Sequence, residues 1–272
     1  MPTFYPGHDR PRGASALDRM MIAAHNVTAG LAGYEPGAWM LDSGGFTIVT
    51  RHGEYDTDPG GYVRFVSDLA ERFDGLVCAF QQDYPATEAV AEATTGPEHY
   101  APGHVLEGTL AGCAMKTRSR WLHTADASAE QDCPVPIVPV LQGEGIGDYV
   151  EHLALIRHTL QSRGASGSVA GTPPRIGIGA LKGRSPAFVR ELMLALDQER
   201  RRHGRSYRFH ALGIGKKYVR HAEAGPAICR LVDSYDSAAW KVRARYAGAD
   251  QNTTDFANQY AQDLKPTAPL FQ

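Results

Sequence analysis

The stretch Trp39-Met40-Leu41-Asp42-Ser43-Gly44-Gly45-Phe46-Thr47, WMLDSGGFT, reads as a short buried strand ending in a carboxylate and two glycines. Glycine reaches positive φ at no steric cost, so a tight turn accounts for the pair. It does not account for the aspartate. The same pattern recurs downstream. Leu76–Phe80 runs into Gln81-Gln82-Asp83-Tyr84-Pro85, and Ile137–Leu141 into Gln142-Gly143-Glu144-Gly145. Arg175–Ile178 runs into Gly179-Ala180-Leu181-Lys182-Gly183, and Phe209–Leu212 into Gly213-Ile214-Gly215-Lys216-Lys217. A last run, Leu231–Tyr235, is bracketed by Asp233 and Asp236, and a weaker one lies at Thr3–Tyr5.

Between these runs the apolar period is helical. Asp58-Pro59 supplies an N-cap followed by proline at the first helical position, and Tyr62, Phe65, Val66, Leu69 and Phe73 then share one face. Further helices are predicted over 104–123, 148–163 and 185–203, with loop-like stretches at 6–16, 124–135 and 163–174. Repeated strand–helix units imply a parallel sheet covered by helices. No linker divides the chain, so the expectation is one domain over 1–272, a (β/α)8 TIM barrel in preference to a doubly wound open sheet.

Composition narrows the function without naming it. The 272 residues carry a formal charge of −2, with 43% hydrophobic and 21% charged residues. That excludes a global basic field, although a local patch is enough to bind nucleic acid. Cys78, Cys113, Cys133 and Cys229 are scattered with no C-x-x-C pair, which argues against a disulfide framework or a cysteine-rich zinc site. With no apolar run of signal-peptide or membrane type, a cytoplasmic protein is expected, and the N-x-T triplets at Asn26 and Asn252 then carry no glycan.

In a barrel the polar groups after each run meet at the C-terminal face, where active sites are built. The result is a ring of carboxylates, a glutamine and glycines that let a ligand approach backbone. Such a set suits breaking a glycosidic bond: one carboxylate attacks the anomeric carbon, and a second carboxylic acid handles the leaving group's proton. Other readings are weaker. Gly177-x-Gly179 and Gly213-x-Gly215 do not complete G-x-G-x-x-G at a first strand, and no Walker lysine motif exists. His210 and His221 read as packing or surface residues, and Arg200-Arg201-Arg202-His203 as a solvated helix end.

Taken together the motifs resemble those of the tRNA-guanine transglycosylase superfamily. Asp42-Ser-Gly-Gly-Phe matches its D-S-G-G-F signature, Val140-Leu-Gln142-Gly143 its V-Q-G, and Gly179-Ala180-Leu181 its G-G-L-A loop. His210-Ala-Leu-Gly213-Ile-Gly215 resembles its L-M-G-V-G, and Asp233-Ser-Tyr-Asp236-Ser its D-x-F-D-C. The resemblance implies a TIM barrel that exchanges guanine for a 7-deazapurine without a cofactor. Asp236 would be the nucleophile and Asp42 the general acid/base. Asp83 or Gln81 would read the purine's N1/N2 edge, while Ser43, Gly44, Gln142, Gly143, Gly179, Ala180 and Leu181 would complete the base pocket. From spacing alone, Asp233 and Asp236 remain alternatives for the nucleophile.

Departures from the family's pattern direct the substrate. No cysteine follows Cys229, so the C-x-C-x-x-C…H zinc site of the tRNA enzymes is not expected. Gln81-Gln82-Asp83-Tyr84-Pro85 resembles the Q-D-x-P of short phage and bacterial DNA 7-deazaguanine transglycosylases, the ending Asp236-Ser-Ala-Ala-Trp240 points the same way, and Thr47 stands where glutamine is usual. DNA is therefore favoured over tRNA, with a free base such as 7-cyano-7-deazaguanine as the second substrate. Lys182, Arg184, Lys216, Lys217, Arg220, Lys241, Arg243 and Arg245 are the candidate backbone contacts. A free nucleoside substrate and a catalytically silent binder are the alternatives. Oligomeric state and any accessory protein are left open.

Overall fold

The structure, a computed structural model, describes residues 2–8, 19–27, 37–94, 108–162, 174–204 and 207–237. In chain order its elements begin with β1 (Thr3–His8), β2 (Arg19–Ala23), a single 3-10 turn (Ala24–Asn26), β3 (Ala38–Asp42), α1 (Gly45–His52) and α2 (Pro59–Arg72). Next come β4 (Leu76–Phe80), α3 (Glu88–Ala93), α4 (Leu110–Glu130), β5 (Ile137–Val138), β6 (Val140–Leu141) and α5 (Ile146–Ser162). The described chain ends with β7 (Arg175–Ile178), α6 (Pro186–Arg202), β8 (Arg208–Ala211), α7 (Lys216–Val219), α8 (Ala224–Leu231) and β9 (Val232–Ser237).

Every strand pair is parallel, in the order β5-β4-β3-β2-β1-β9-β8-β7-β6. The two ends of that order, β5 and β6, are halves of one apolar run interrupted at Pro139. The first half pairs with β4 and the second with β7, so a nearly closed (β/α)8-like barrel results. Proline has no N–H to give the ladder. Beside it the Val140 N–H donates to the Gln81 side-chain oxygen at 3.3 Å, while the Gln81 amide donates to the Thr117 carbonyl at 2.9 Å. Gln81 thus satisfies the donor that the break in the ladder exposes.

Strand alternation sorts the core into two layers. Trp39, Leu41, Ile176, Ile178, Phe209 and Tyr235 face outward and pack on the helices. Tyr5, Met21, Met40, Cys78, Phe80, Val138 and Val140 fill the barrel interior. Arg175 closes its floor, with Nη1 3.3 Å from Cys78 Sγ. All four thiols are free.

The Asp58 cap forms as the sequence implies, accepting from Gly61 N, and Ser185 caps α6 from Phe188 N in the same way. Three expectations need correction. α4 extends to Glu130, so 124–130 is helix and not loop; its Ala125, Ala127 and Ser128 are buried small residues that give little periodic contrast. Residues 6–8, where the sequence pattern predicts loop, continue β1. The strand β2 was not anticipated, because no acidic or glycine turn follows it. No helix among the described residues is long and apolar enough to cross a membrane.

Candidate active site

The strand ends converge on a cavity of about 470 Å³, within the roughly 300–1,000 Å³ usual for small-molecule sites. Asp42, Asp83 and Asp236 all line it, as do Gln142, Lys182 and the backbone of Gly179–Gly183. Phe46 and Leu212 give it apolar walls.

Asp42 ends β3, and its carboxylate accepts from the N–H groups of Ser43 and Gly44 in the turn that opens α1. Burial pushes its pKa up from 3.8 to about 7, the charges of Asp83 and Asp236 push the same way, and the two amides only partly offset them. The glycines of the opening motif have separate causes. Gly44 sits at φ +77°, in the left-handed region. Gly45 faces the Asp83 backbone and carboxylate so closely that a Cβ would collide with both.

Asp83 is 5% exposed and held on both oxygens. Ser43 Oγ donates to Oδ1 at 3.0 Å and Gln142 Nε2 to Oδ2 at 2.6 Å. The Tyr55 hydroxyl brackets its backbone, donating to the Asp83 carbonyl at 2.9 Å and lying 3.1 Å from its amide. Burial raises the Asp83 pKa to about 6, against the lowering effect of the Gln142 and Ser43 hydrogen bonds. Gln142 is itself fixed: its Oε1 accepts from Ala86 N at 3.2 Å, and its own N–H donates to His152 Nδ1 at 3.2 Å. Burial drives the His152 pKa down to about 3, so the ring is neutral and free to accept.

Asp236 and Asp233 part company by strand parity. Three residues apart on β9, they lie on opposite faces. Asp236 enters the cavity, where its Oδ1 accepts from Gly213 N at 2.8 Å and lies 3.2 Å from His210 Nε2. Asp233 is exposed on the other face, and its Oδ2 accepts from Phe209 N at 2.9 Å.

Other residues singled out in the sequence are more dispersed. Gly44, Gly179, Ala180 and Leu181 line the cavity, whereas Ser43 stands behind Asp83. Gln81 and Gly143 do not line it. Gln81 repairs the barrel seam, and a Cβ on Gly143 would meet Asp148 and Tyr149 at the start of α5. Arg184 donates to the Gly143 carbonyl at 3.0 Å and covers the Phe188 ring. Lys216 and Lys217 open α7, with Lys217 over Tyr218. Lys241, Arg243 and Arg245 lie outside the described residues.

His25 was not foreseen. It follows β2, lines the cavity beside Gly44, and has its pKa lowered by burial and by Arg51. The signal for it is the apolar Met20–Ala24 run, MMIAA, most of which forms β2 and delivers His25 to the same barrel end. His210, which the sequence pattern assigns to packing or surface, is buried and also touches Asp236. Among the described residues no group of three or more His, Cys, Asp or Glu side chains is placed to hold a metal ion.

A crystal structure described as that of a phosphonomutase from Burkholderia cenocepacia J2315 superposes with a TM-score of 0.43 at 12% identity, covering 91% of this chain and 90% of that one. That likeness is too distant to bear on activity. A search among curated proteins returns no match. The family profile of DpdA, deoxypurine in DNA protein A, matches residues 20–250, most of the barrel and every strand end described above except β1. The chain belongs to the DpdA family, which is tRNA-guanine transglycosylase-like.

Proposed function

We propose that this protein exchanges guanine in DNA for a 7-deazaguanine, 7-cyano-7-deazaguanine being one such base, through a covalent ester on Asp236. The observation that carries this reading is the meeting of Asp42, Asp83 and Asp236, from three strand ends, in one cavity. The family's description adds the deoxypurine and the DNA.

Each carboxylate has an environment suited to a different task. Asp236, at the mouth of β9, attacks the anomeric carbon. Asp42, with a pKa near 7, is present in both protonation states at neutral pH, so it can protonate the departing base and later accept the incoming base's proton. Asp83 and Gln142, locked to each other, offer acceptor and donor atoms to a purine edge. Phe46 and Leu212 supply flat apolar contact for the ring. Two successive displacements at one carbon give net retention, as in retaining glycosidases. A stacked target base has to be flipped out or unpaired to enter the cavity. Lys182 at the rim, with Lys216 and Lys217 on α7, would meet the flanking phosphates.

The test is incorporation of labelled guanine into single-stranded DNA, duplex DNA, tRNA and free guanosine in parallel, followed by intact-protein mass spectrometry. Label in DNA with a glycosyl adduct on Asp236 supports the reading. Label only in tRNA or only in the nucleoside moves the same chemistry to another substrate. Exchange nowhere, with no adduct, refutes it.

A further inference from the structure

The inner face of β8 and β9 carries a chain of polar groups that the chemistry above leaves without a role. His210 is 0% exposed, with ring centroids 5.0 Å from Phe80 and 6.1 Å from Tyr5. Its Nδ1 lies 2.9 Å from Ser234 Oγ and its Nε2 3.2 Å from Asp236 Oδ1. Gly213 N donates to that same Oδ1 at 2.8 Å. Alternation along β9 puts Ser234 and Asp236 on one face, and the β8–β9 register sets His210 beside Ser234.

The protons can be assigned. Burial lowers the His210 pKa and the Arg175 charge adds to that, while Asp236 opposes it with a hydrogen bond and its charge. The net direction is down, so near pH 7 the ring is neutral with one N–H. A carboxylate can only accept. The proton therefore sits on Nε2, towards Asp236, and Nδ1 accepts from the Ser234 hydroxyl.

We propose that His210 is a positioning residue for Asp236: its Nε2–H and the Gly213 N–H together hold Oδ1, which leaves Oδ2 as the attacking oxygen. The proposal rests on the base-exchange reading. As the Oδ2–C1′ bond forms, the C1′–N bond breaks, its electron pair leaves with the base, and the base takes a proton from Asp42. The incoming base then displaces the aspartyl ester and returns a proton to Asp42. Two donors on one oxygen stop the carboxylate from rotating, and Ser234 stops the imidazole from changing tautomer.

Two measurements on the full chain test this. In ¹⁵N-histidine-labelled protein, long-range ¹H–¹⁵N spectra from pH 7 to 8 should show His210 neutral and protonated on Nε2. A proton on Nδ1, or an imidazolium at pH 7, overturns the proposal. In single-turnover kinetics His210→Phe should slow formation of the Asp236 adduct on the order of 10–100-fold in kcat, with KM for the oligonucleotide little changed. His210→Gln keeps an N–H donor near Nε2 and should recover most of that loss. Equal kcat in His210→Phe and wild type also overturns it. If His210→Phe does not fold, Ser234→Ala decides: it should weaken the tautomer preference and slow the adduct, and no change in either is a refutation. If wild type forms no adduct on any substrate, the base-exchange reading fails, while the spectra still decide whether His210 holds Asp236.

Discussion

An ideal Cβ on Gly45 would lie 2.4 Å from the carbonyl oxygen of Asp83 and 2.8 Å from its Oδ1. The glycine that opens α1 and the carboxylate just past β4 are therefore built as a pair. Gly45→Ala should cost about 1–3 kcal/mol of stability, since backbone and not a flexible side-chain tip must move. It should also impair exchange by displacing Asp83. Urea denaturation and exchange assays check both, and wild-type values in each would refute the contact.

The parity of β9 separates its two aspartates. Asp236→Asn should abolish the adduct and reduce exchange by at least about 10⁴-fold, as expected when a nucleophile is removed. Asp233→Asn should leave exchange close to wild type and lose about 1 kcal/mol at most, the value of the hydrogen bond to Phe209 N. Reversed outcomes would move the nucleophile to Asp233.

Asp42 and Asp83 titrate near 7 and 6 in the folded chain, raised chiefly by burial from the 3.8 of an unperturbed aspartate. Raised carboxyl groups hold extra protons in the native state between about pH 4 and 7. Their contribution to stability is therefore complete below about pH 4 and is lost as pH rises through 6 and 7. Asp42→Asn removes that penalty, so it should raise Tm at pH 8 and leave it near wild type at pH 4. Exchange should fall by about 10²–10⁴-fold. Calorimetry at the two pH values is decisive: an equal Tm change at both would mean that Asp42 is not raised.

Ala180 lies at φ +51°, a left-handed conformation that costs a non-glycine residue roughly 1–2 kcal/mol. Glycine there relieves the strain but frees the unfolded chain by about 0.4–1 kcal/mol. Ala180→Gly should therefore gain between about 0 and 1.6 kcal/mol, seen as a Tm rise of up to a few degrees. A clear loss would show that the methyl group's packing outweighs the strain.

Much of this was legible in sequence because apolar runs and turn chemistry are local. Leu76–Phe80 and Arg175–Ile178 appear as strands with the expected bounds, and the Asp58 cap forms as written. That only one of Asp233 and Asp236 can face the cavity was also legible in principle, since a spacing of three residues puts them on opposite strand faces. What failed was non-local. Gln81 looks like its neighbour Asp83, yet its partners Val140 and Thr117 lie far along the chain. Gly143 is required where a Cβ would meet Asp148 and Tyr149 of α5, residues the local motif does not reveal. His25 was lost with β2, a strand with no polar flag at its end.

The repair at Pro139 ties assembly to chemistry. Gln81 can satisfy Val140 only when the two ends of the sheet have met, and two residues further on Asp83 receives Gln142 from the strand that completes the circle. A half-assembled barrel therefore lacks the locked Asp83–Gln142 pair in its cavity. The cavity should therefore become competent in one step at closure, and partly folded chains should be inert.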